Sequence, residues 1–207
     1  MQVSTSSPPP LDEFLQAFAA PGRMSTLFNP QSLAIVGGSE NSFWAQNFFR
    51  NLERQGFTGT VVAVHPSRTS VFGRTCYASL RDLPSPVDLA YVLAPTDAVP
   101  QVLSDAEAGG VGNVVIVAAG FSEIGEHGAN LQASIIEQAC RADIAMLGPN
   151  CPGFLNIPGR VSAYGQEIPE GLKAGGVAVL LQSGALTSGV LKFSLAHGIG
   201  LSTVVCM

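Results

Sequence analysis

Several short stretches of this chain carry residue types suited to phosphate and thiol chemistry. The first is Gly37-Gly38-Ser39-Glu40-Asn41-Ser42, which follows an aliphatic run and leads into a helical period at Phe43. Glycines let a backbone close on a phosphate, and a helix start offers unbonded N–H groups at its positive dipole end. Gly37, Gly38 and Ser39 are therefore candidates for a diphosphate. Counted as G-x-G-x-x-G, the run has Ser39 and Ser42 where the second and third glycines belong, and ordinary strand-to-helix turns use glycine too.

The next aliphatic run ends in His65-Pro66-Ser67-Arg68. A protein that grips a ribose diol places Asp or Glu at this point, and no carboxylate is present. His65, Ser67 and Arg68 suit an extra phosphate on the ribose, as in coenzyme A or a 2′-phosphorylated dinucleotide, because guanidinium matches phosphate in charge and geometry; an exposed polar turn is the plain alternative. Further on, Ala94-Pro95 and Ala118-Ala119-Gly120-Phe121 put small residues after two more runs. They leave room for a flat or elongated ligand that Phe121 would cover. In Gly148-Pro149-Asn150-Cys151-Pro152-Gly153 the prolines stiffen a turn around Asn150 and Cys151. Cys151 is open to a nucleophilic role there, but no histidine is linked to it in sequence, and a structural or ligand-lining role ranks ahead. Ser183-Gly184-Ala185 opens another helical period, where a hydroxyl and free N–H groups suit a phosphoryl group or simply cap the helix.

The elements that must carry these stretches alternate. Leu33–Val36, Val61–Val64, Leu89–Leu93, Val114–Val117, Ile144–Leu147, Val177–Leu181 and Thr203–Val205 are apolar at successive positions, the pattern of strands covered on both faces. Between them, Phe43–Gln55, Thr96–Ala108, His127–Ala142 and Ser183–His197 have helical period and mostly end at glycine; Ala78–Leu83 is about one turn. This order predicts an α/β fold, a Rossmann-like doubly wound parallel sheet with ligands at the strands' carboxyl ends. Residues 1–26 read as an N-terminal extension with an amphipathic piece at Leu11–Ala20, stopped by Pro21-Gly22. Residues 27–153 read as the main domain, and 154–176, rich in Gly and Pro, as a linker. Residues 177–207 read as the first elements of a second, flavodoxin-like α/β domain. A lone strand-helix-strand unit exposes apolar strand surface and invites a partner, a second copy of the chain included.

Composition narrows the partners. The chain has 207 residues with 10 Lys+Arg against 15 Asp+Glu, a net charge of −5. This offers no clustered basic surface for nucleic acid. Charged residues make up 12% and apolar ones 46%, the balance of a core-rich globular protein. No apolar run approaches the roughly 20 residues that span a bilayer, and the start of the chain lacks the basic and hydrophobic regions of a signal peptide, so a cytoplasmic location is expected. Cys76, Cys140, Cys151 and Cys206 form no C-x-x-C pair, which predicts reduced thiols, no metal site and no disulfide framework.

Five motifs in this order carry a resemblance: Leu27-Phe28-Asn29-Pro30-Gln31-Ser32-Leu33-Ala34-Ile35-Val36-Gly37-Gly38-Ser39, Pro86-Val87-Asp88-Leu89-Ala90, Ala119-Gly120-Phe121-Ser122-Glu123, Leu147-Gly148-Pro149-Asn150-Cys151-Pro152-Gly153 and Gln182-Ser183-Gly184-Ala185-Leu186. From about Leu27 onward the chain resembles the CoA-binding part of the NDP-forming acyl-CoA synthetases, the group of the succinyl-CoA synthetase α subunit and the ADP-forming acetyl-CoA synthetases. The resemblance implies coenzyme A across the strand ends. Its phosphates would lie near Gly38 and Ser39, its adenosine end near His65 to Arg68, and its pantetheine past Ala94, Pro95, Gly120 and Phe121 toward Asn150. It implies that the helix starting at Ser183, Gly184 and Ala185 faces a phosphohistidine.

The family's phosphorylated histidine and its ATP-grasp portion have no match in this sequence; His197 closes a helix, and His127 reads as a surface residue. His65-Pro66-Ser67-Arg68 stands where many relatives have Lys, and Glu40-Asn41 with Trp44 departs from the usual small-residue loop. The expectation is a CoA-binding portion of a ligase, inactive alone and completed by an ATP-grasp subunit or C-terminal domains. The alternative is a stand-alone CoA- or nucleotide-binding regulatory module. An NADP-dependent oxidoreductase fragment is a third reading, with nothing resembling a hydride-transfer acid or base.

Overall fold

Buried aliphatic runs alternating with helices set up a parallel sheet, and the computed structural model, which describes residues 21–207, contains one. Strands β1 (Ser32–Val36), β2 (Thr60–Val64), β3 (Ser70–Val71), β4 (Arg74–Tyr77), β5 (Leu89–Val92), β6 (Asn113–Ile116) and β7 (Ala145–Leu147) lie in the order β3-β4-β2-β1-β5-β6-β7. Every pair is parallel except β3 with β4. Without β3 the order is 3-2-1-4-5-6, the Rossmann arrangement, which changes direction between β1 and β5.

Helices α1 (Pro21–Phe28), α2 (Phe43–Gln55), α3 (Val99–Ala108), α4 (Glu126–Arg141) and α5 (Gly184–Ala196) complete the framework. Side chains alternate along each strand, so neighbours enter different cores. Ala34, Ala90 and Ile116 pack with Leu103 of α3 and Ile135 of α4. Leu33, Leu89 and Tyr91 pack on the opposite face with Phe48 and Leu52 of α2. Burial on both faces explains why these strands, after a polar first residue in β1 (Ser32) and β6 (Asn113), are apolar at successive positions.

A second sheet follows. Strands β8 (Gly153–Asn156), β9 (Val161–Tyr164), β10 (Ala174–Leu181) and β11 (Leu201–Cys206) lie in the order β10-β11-β8-β9. β10 and β11 are parallel around α5, whereas β8 runs antiparallel to both β11 and β9. Phe154, Val161, Ala163 and Val205 enter the same cluster as Leu33 and Tyr91, so both sheets share one core. Phe28 meets Phe154 edge-on at 5.0 Å, and Asn156 Nδ2 donates to the Phe28 carbonyl at 2.9 Å, which ties α1 to the second sheet.

The second sheet and the edge of the first depart from expectation. The stretch 154–176, expected as a connection, carries β9 and most of β8, whose hairpin turns at Pro158-Gly159. The strand-helix-strand unit after it pairs with this hairpin through β11 and β8. Pro21 is the first residue of α1; its missing N–H is one that a first helical turn leaves unbonded anyway. The β3–β4 hairpin, not expected at all, connects β2 to β4 without a helix. The amphipathic piece at Leu11–Ala20 lies outside the described residues. At the rim of the second sheet Val177 and Leu180 of β10 are exposed, as are Leu186 and Phe193 of α5. Among the described residues no helix is long and apolar enough to cross a membrane, no cluster could hold a metal ion, and all four cysteines are free thiols.

Candidate functional site

The change of direction between β1 and β5 puts two loops side by side. After β1 the chain turns at Gly37, whose φ is +79° and where a Cβ would stand 2.8 Å from Ala94 Cα of the β5 loop. A Cβ on Gly38 would lie 2.9 Å from Ile35 Cδ1. Glycine is needed at Gly37 for the two loops to close up, whereas a side chain at Gly38 would displace only the tip of Ile35. Ser42 then caps α2, its Oγ accepting the Ala45 N–H at 3.3 Å.

A cleft of about 540 Å³ opens at this edge. Ser42 and Trp44 line it from the β1 loop and α2, Ala94, Pro95 and Thr96 from β5, and Ala118 and Ala119 from β6. Asn150 and Pro152 lie beyond β7, and Gln166, Gln182, Gly184 and Met207 form a wall contributed by the second sheet. None of the lining residues is Asp, Glu, Lys, Arg or His.

Of the residues singled out in the sequence, Ala94, Pro95, Asn150 and Gly184 line the cleft directly. Gly37, Gly38 and Ser39 precede Ser42 at its edge, Gly120 follows Ala119, and Ser183 and Ala185 flank Gly184. Ser183 caps α5 through Oγ, which accepts the Leu186 N–H at 3.3 Å. His65, Pro66, Ser67 and Arg68 sit outside the cleft at the end of β2, next to the β1 loop. There Ser67 N–H donates to His65 Nδ1 at 3.3 Å, and Arg68 pairs with Glu40 at 3.1 Å.

One side chain, Phe121, differs from expectation, and another, Cys151, has the structural surroundings ranked ahead for it. Phe121 is fully buried among the side chains of α3 and α4, so it supports the β6 loop from below and cannot cover a ligand. Cys151 is buried; its Sγ donates to the Cys206 carbonyl and accepts the Gly153 N–H at 3.3 Å. Burial pushes its thiol up to about 12, which suits a structural group and not a nucleophile. His127 is exposed as expected, and His197 stacks on Phe193 at the far end of α5.

Charge near the cleft is absorbed locally. Glu123 accepts the Gly120 N–H at 2.6 Å and the Phe121 N–H at 3.1 Å, and Gln132 accepts the Ser122 N–H at 3.1 Å. The Gly120 N–H bond foremost holds the Glu123 carboxyl below its usual range. Glu40 is lowered likewise, first by the Phe72 N–H and then, more weakly, by Arg68. Gln166 and Met207 were not found from sequence, because their place in the cleft depends on packing between distant segments, whereas Trp44, singled out as a departure from the usual loop, lines the cleft. Thr96 and Gln182 directly follow their strand runs, the signal that pointed to Ala94 and Gly120.

A Rossmann-ordered sheet, a glycine closing its switch point and a cleft free of charged side chains beside two helix starts define a domain of the nucleotide-binding class. The chain belongs to the CoA binding domain family, which it matches over residues 31–157. It is 36% identical over 186 residues to an acetate–CoA ligase [ADP-forming] I of Archaeoglobus fulgidus, covering 89% of this chain and 26% of that protein. It is 34% identical to the acetate–CoA ligase [ADP-forming] II subunit alpha of Pyrococcus furiosus, over 86% of this chain and 38% of that subunit. The solved dinucleotide forming acetyl-coenzyme A synthetase 1 of Ca. Korarchaeum cryptofilum, in complex with phosphate and ADP, superposes with a TM-score of 0.81 at 33% identity, over 88% of this chain and 39% of that one. The chain thus spans well under half the length of these relatives.

Proposed function

We propose that this chain is the CoA-binding portion of an NDP-forming acyl-CoA synthetase. The complete enzyme would convert a carboxylic acid, CoA and a nucleoside triphosphate into acyl-CoA, the nucleoside diphosphate and phosphate by way of a phosphohistidine. That histidine and the ATP-grasp part would come from a partner subunit or from further domains, and the work would be cytoplasmic.

The observation that carries the reading is the match between cleft and ligand. The pantetheine arm of CoA is long, uncharged and interrupted by two amides. The cleft is neutral, and the side-chain amides of Asn150, Gln166 and Gln182 stand along otherwise small or apolar walls. Amides pair with amides without burying charge. Gly37, Gly38 and Ser39 would take the diphosphate with backbone N–H groups, and His65, Pro66, Ser67 and Arg68 the adenosine end. Ala94, Pro95, Gly120 and Asn150 would border the arm, with Phe121 and Cys151 supporting the wall from within. Ser183, Gly184 and Ala185 would present the start of α5 to the phosphoryl group. CoA supplies the thiol that accepts the acyl group; the residues here bind and orient it.

Calorimetric titration of the chain with CoA, NAD and NADP tests the reading. CoA is expected to bind most tightly and to change the emission of Trp44, the only tryptophan in the sequence. Tighter binding of either nicotinamide dinucleotide would reverse the assignment.

A further inference from the structure

Glu40 joins three segments at the edge of the sheet. Its Oε1 accepts the Phe72 N–H at 2.8 Å, its Oε2 lies 3.1 Å from Arg68 Nη1, and its carbonyl accepts Gln46 Nε2 at 2.6 Å. One residue therefore fastens the loop after β1 to the β3–β4 turn, to Arg68 and to the body of α2. The loops after β1 and β2 start as neighbours, because Val36 pairs with Val64 and the Gly37 N–H donates to the Val64 carbonyl at 2.9 Å.

The hairpin is shaped to reach this carboxylate. Phe72 and Gly73 both have positive φ, 50° and 70°, as in the two-residue turn that normally begins with Asn, Asp or Gly. A phenylalanine in the left-handed region is strained. Here its ring rests on Phe49 with centroids 4.5 Å apart, the Arg74 guanidinium lies 5.1 Å over the Phe49 ring, and its N–H points to Glu40. An exposed Arg–Glu pair on its own holds little. With its carboxylate fixed by a backbone donor, this pair holds the Arg68 guanidinium in one place and leaves most of its N–H groups for another anion.

We infer that Glu40 is a positioning residue that sets Arg68 for a phosphate on the ligand's ribose, so that the site selects nucleotides bearing that phosphate over those without it. The inference rests on the CoA reading and deepens it. The ligand class becomes a nucleotide with both a diphosphate and a separate ribose monophosphate.

CoA and dephospho-CoA differ only in that monophosphate. Both are titrated into the 207-residue chain and into its Glu40→Gln and Arg68→Gln variants, reading heat and Trp44 emission. The unaltered chain should prefer CoA by about tenfold or more, the worth of one charge-assisted contact. Glu40→Gln keeps an oxygen for the Phe72 N–H but removes the charge facing Arg68. It should cut the preference to about threefold or less while dephospho-CoA binds as before. Arg68→Gln, at an exposed position, should abolish the preference and tests the same point if Glu40→Gln fails to fold.

Equal binding of the two ligands by the unaltered chain would overturn the inference and leave the CoA reading standing. So would a parallel loss of both ligands in Glu40→Gln, the mark of a merely structural role, or a gain in CoA affinity, which would make Glu40 a competitor for Arg68. Binding of neither ligand would overturn both readings.

Discussion

Tyr91 donates its phenolic hydrogen to the Pro152 carbonyl at 2.8 Å, a bond from the centre of the first sheet to the turn that opens the second. The same carbonyl accepts the Gly165 N–H at 3.0 Å. Tyr91 is fully buried, stacks on Phe48 at 4.7 Å, and has its phenol pushed well above the usual range by burial. Tyr91→Phe removes the bond but leaves Pro152 with its second donor. The expected cost is about 1 kcal/mol, visible as a lower urea midpoint with an unchanged denaturant slope.

Gly165→Ala should act on the cleft through its wall. A Cβ there would overlap Trp44 Cε3 and stand 2.5 Å from Tyr91 Oη. Overpacking of this kind costs roughly 1–3 kcal/mol. The indole must move to make room, so a shift of Trp44 emission should accompany the lower midpoint. Destabilisation with an unmoved emission spectrum would contradict the packing described here.

Glu123 should govern the loop after β6. Bonds from Gly120 and Phe121 favour its ionised form and lower its carboxyl, so the folded state holds fewer protons than the unfolded one across the acidic range. The stabilisation is complete above the ordinary glutamate value of about 4.3 and fades as pH falls through the lowered one. Glu123→Ala should remove amide-exchange protection at Gly120 and Phe121 at neutral pH, while the strands keep theirs.

The thiols should separate by reactivity. Cys140 is exposed and should alkylate near pH 8, whereas buried Cys151, raised to about 12, should react only after denaturation. An unfolded thiol ionises at about 8.5. From there toward 12 the unfolded state alone gives up its proton, so stability should decline as pH rises through that window. Mass spectrometry after iodoacetamide treatment reads the first expectation, and urea midpoints from pH 8 to 11 the second.

The first sheet was legible because its strands are covered on both faces: Leu33–Val36 and Leu89–Val92 have no polar position to blur the run. β8 and β9 escaped because Gly153, Asn156 and Ser162 break their runs, although Pro158-Gly159 between them is a turn signal. The β3–β4 hairpin escaped because Phe72 occupies a turn position where Asn or Asp would have announced it. In the candidate site the near wall could be read from the residues after each strand. The far wall, with Gln166 and Met207, is made by contacts between segments remote in sequence. Phe121 was read as facing outward because position along the chain does not reveal which way a ring turns after a glycine with φ +104°.

The opposing walls of the cleft belong to different sheets: Thr96 and Ala119 stand on one, Gln182 and Met207 on the other. The gap between them is set by the core that Phe154 and Val161 share with Leu33 and Tyr91. The arrangement works like the jaws of a vice whose screw lies inside the protein. Trimming or enlarging one of those interior side chains would reset the spacing without touching a wall, so tolerance for ligand girth can drift through residues no ligand ever meets.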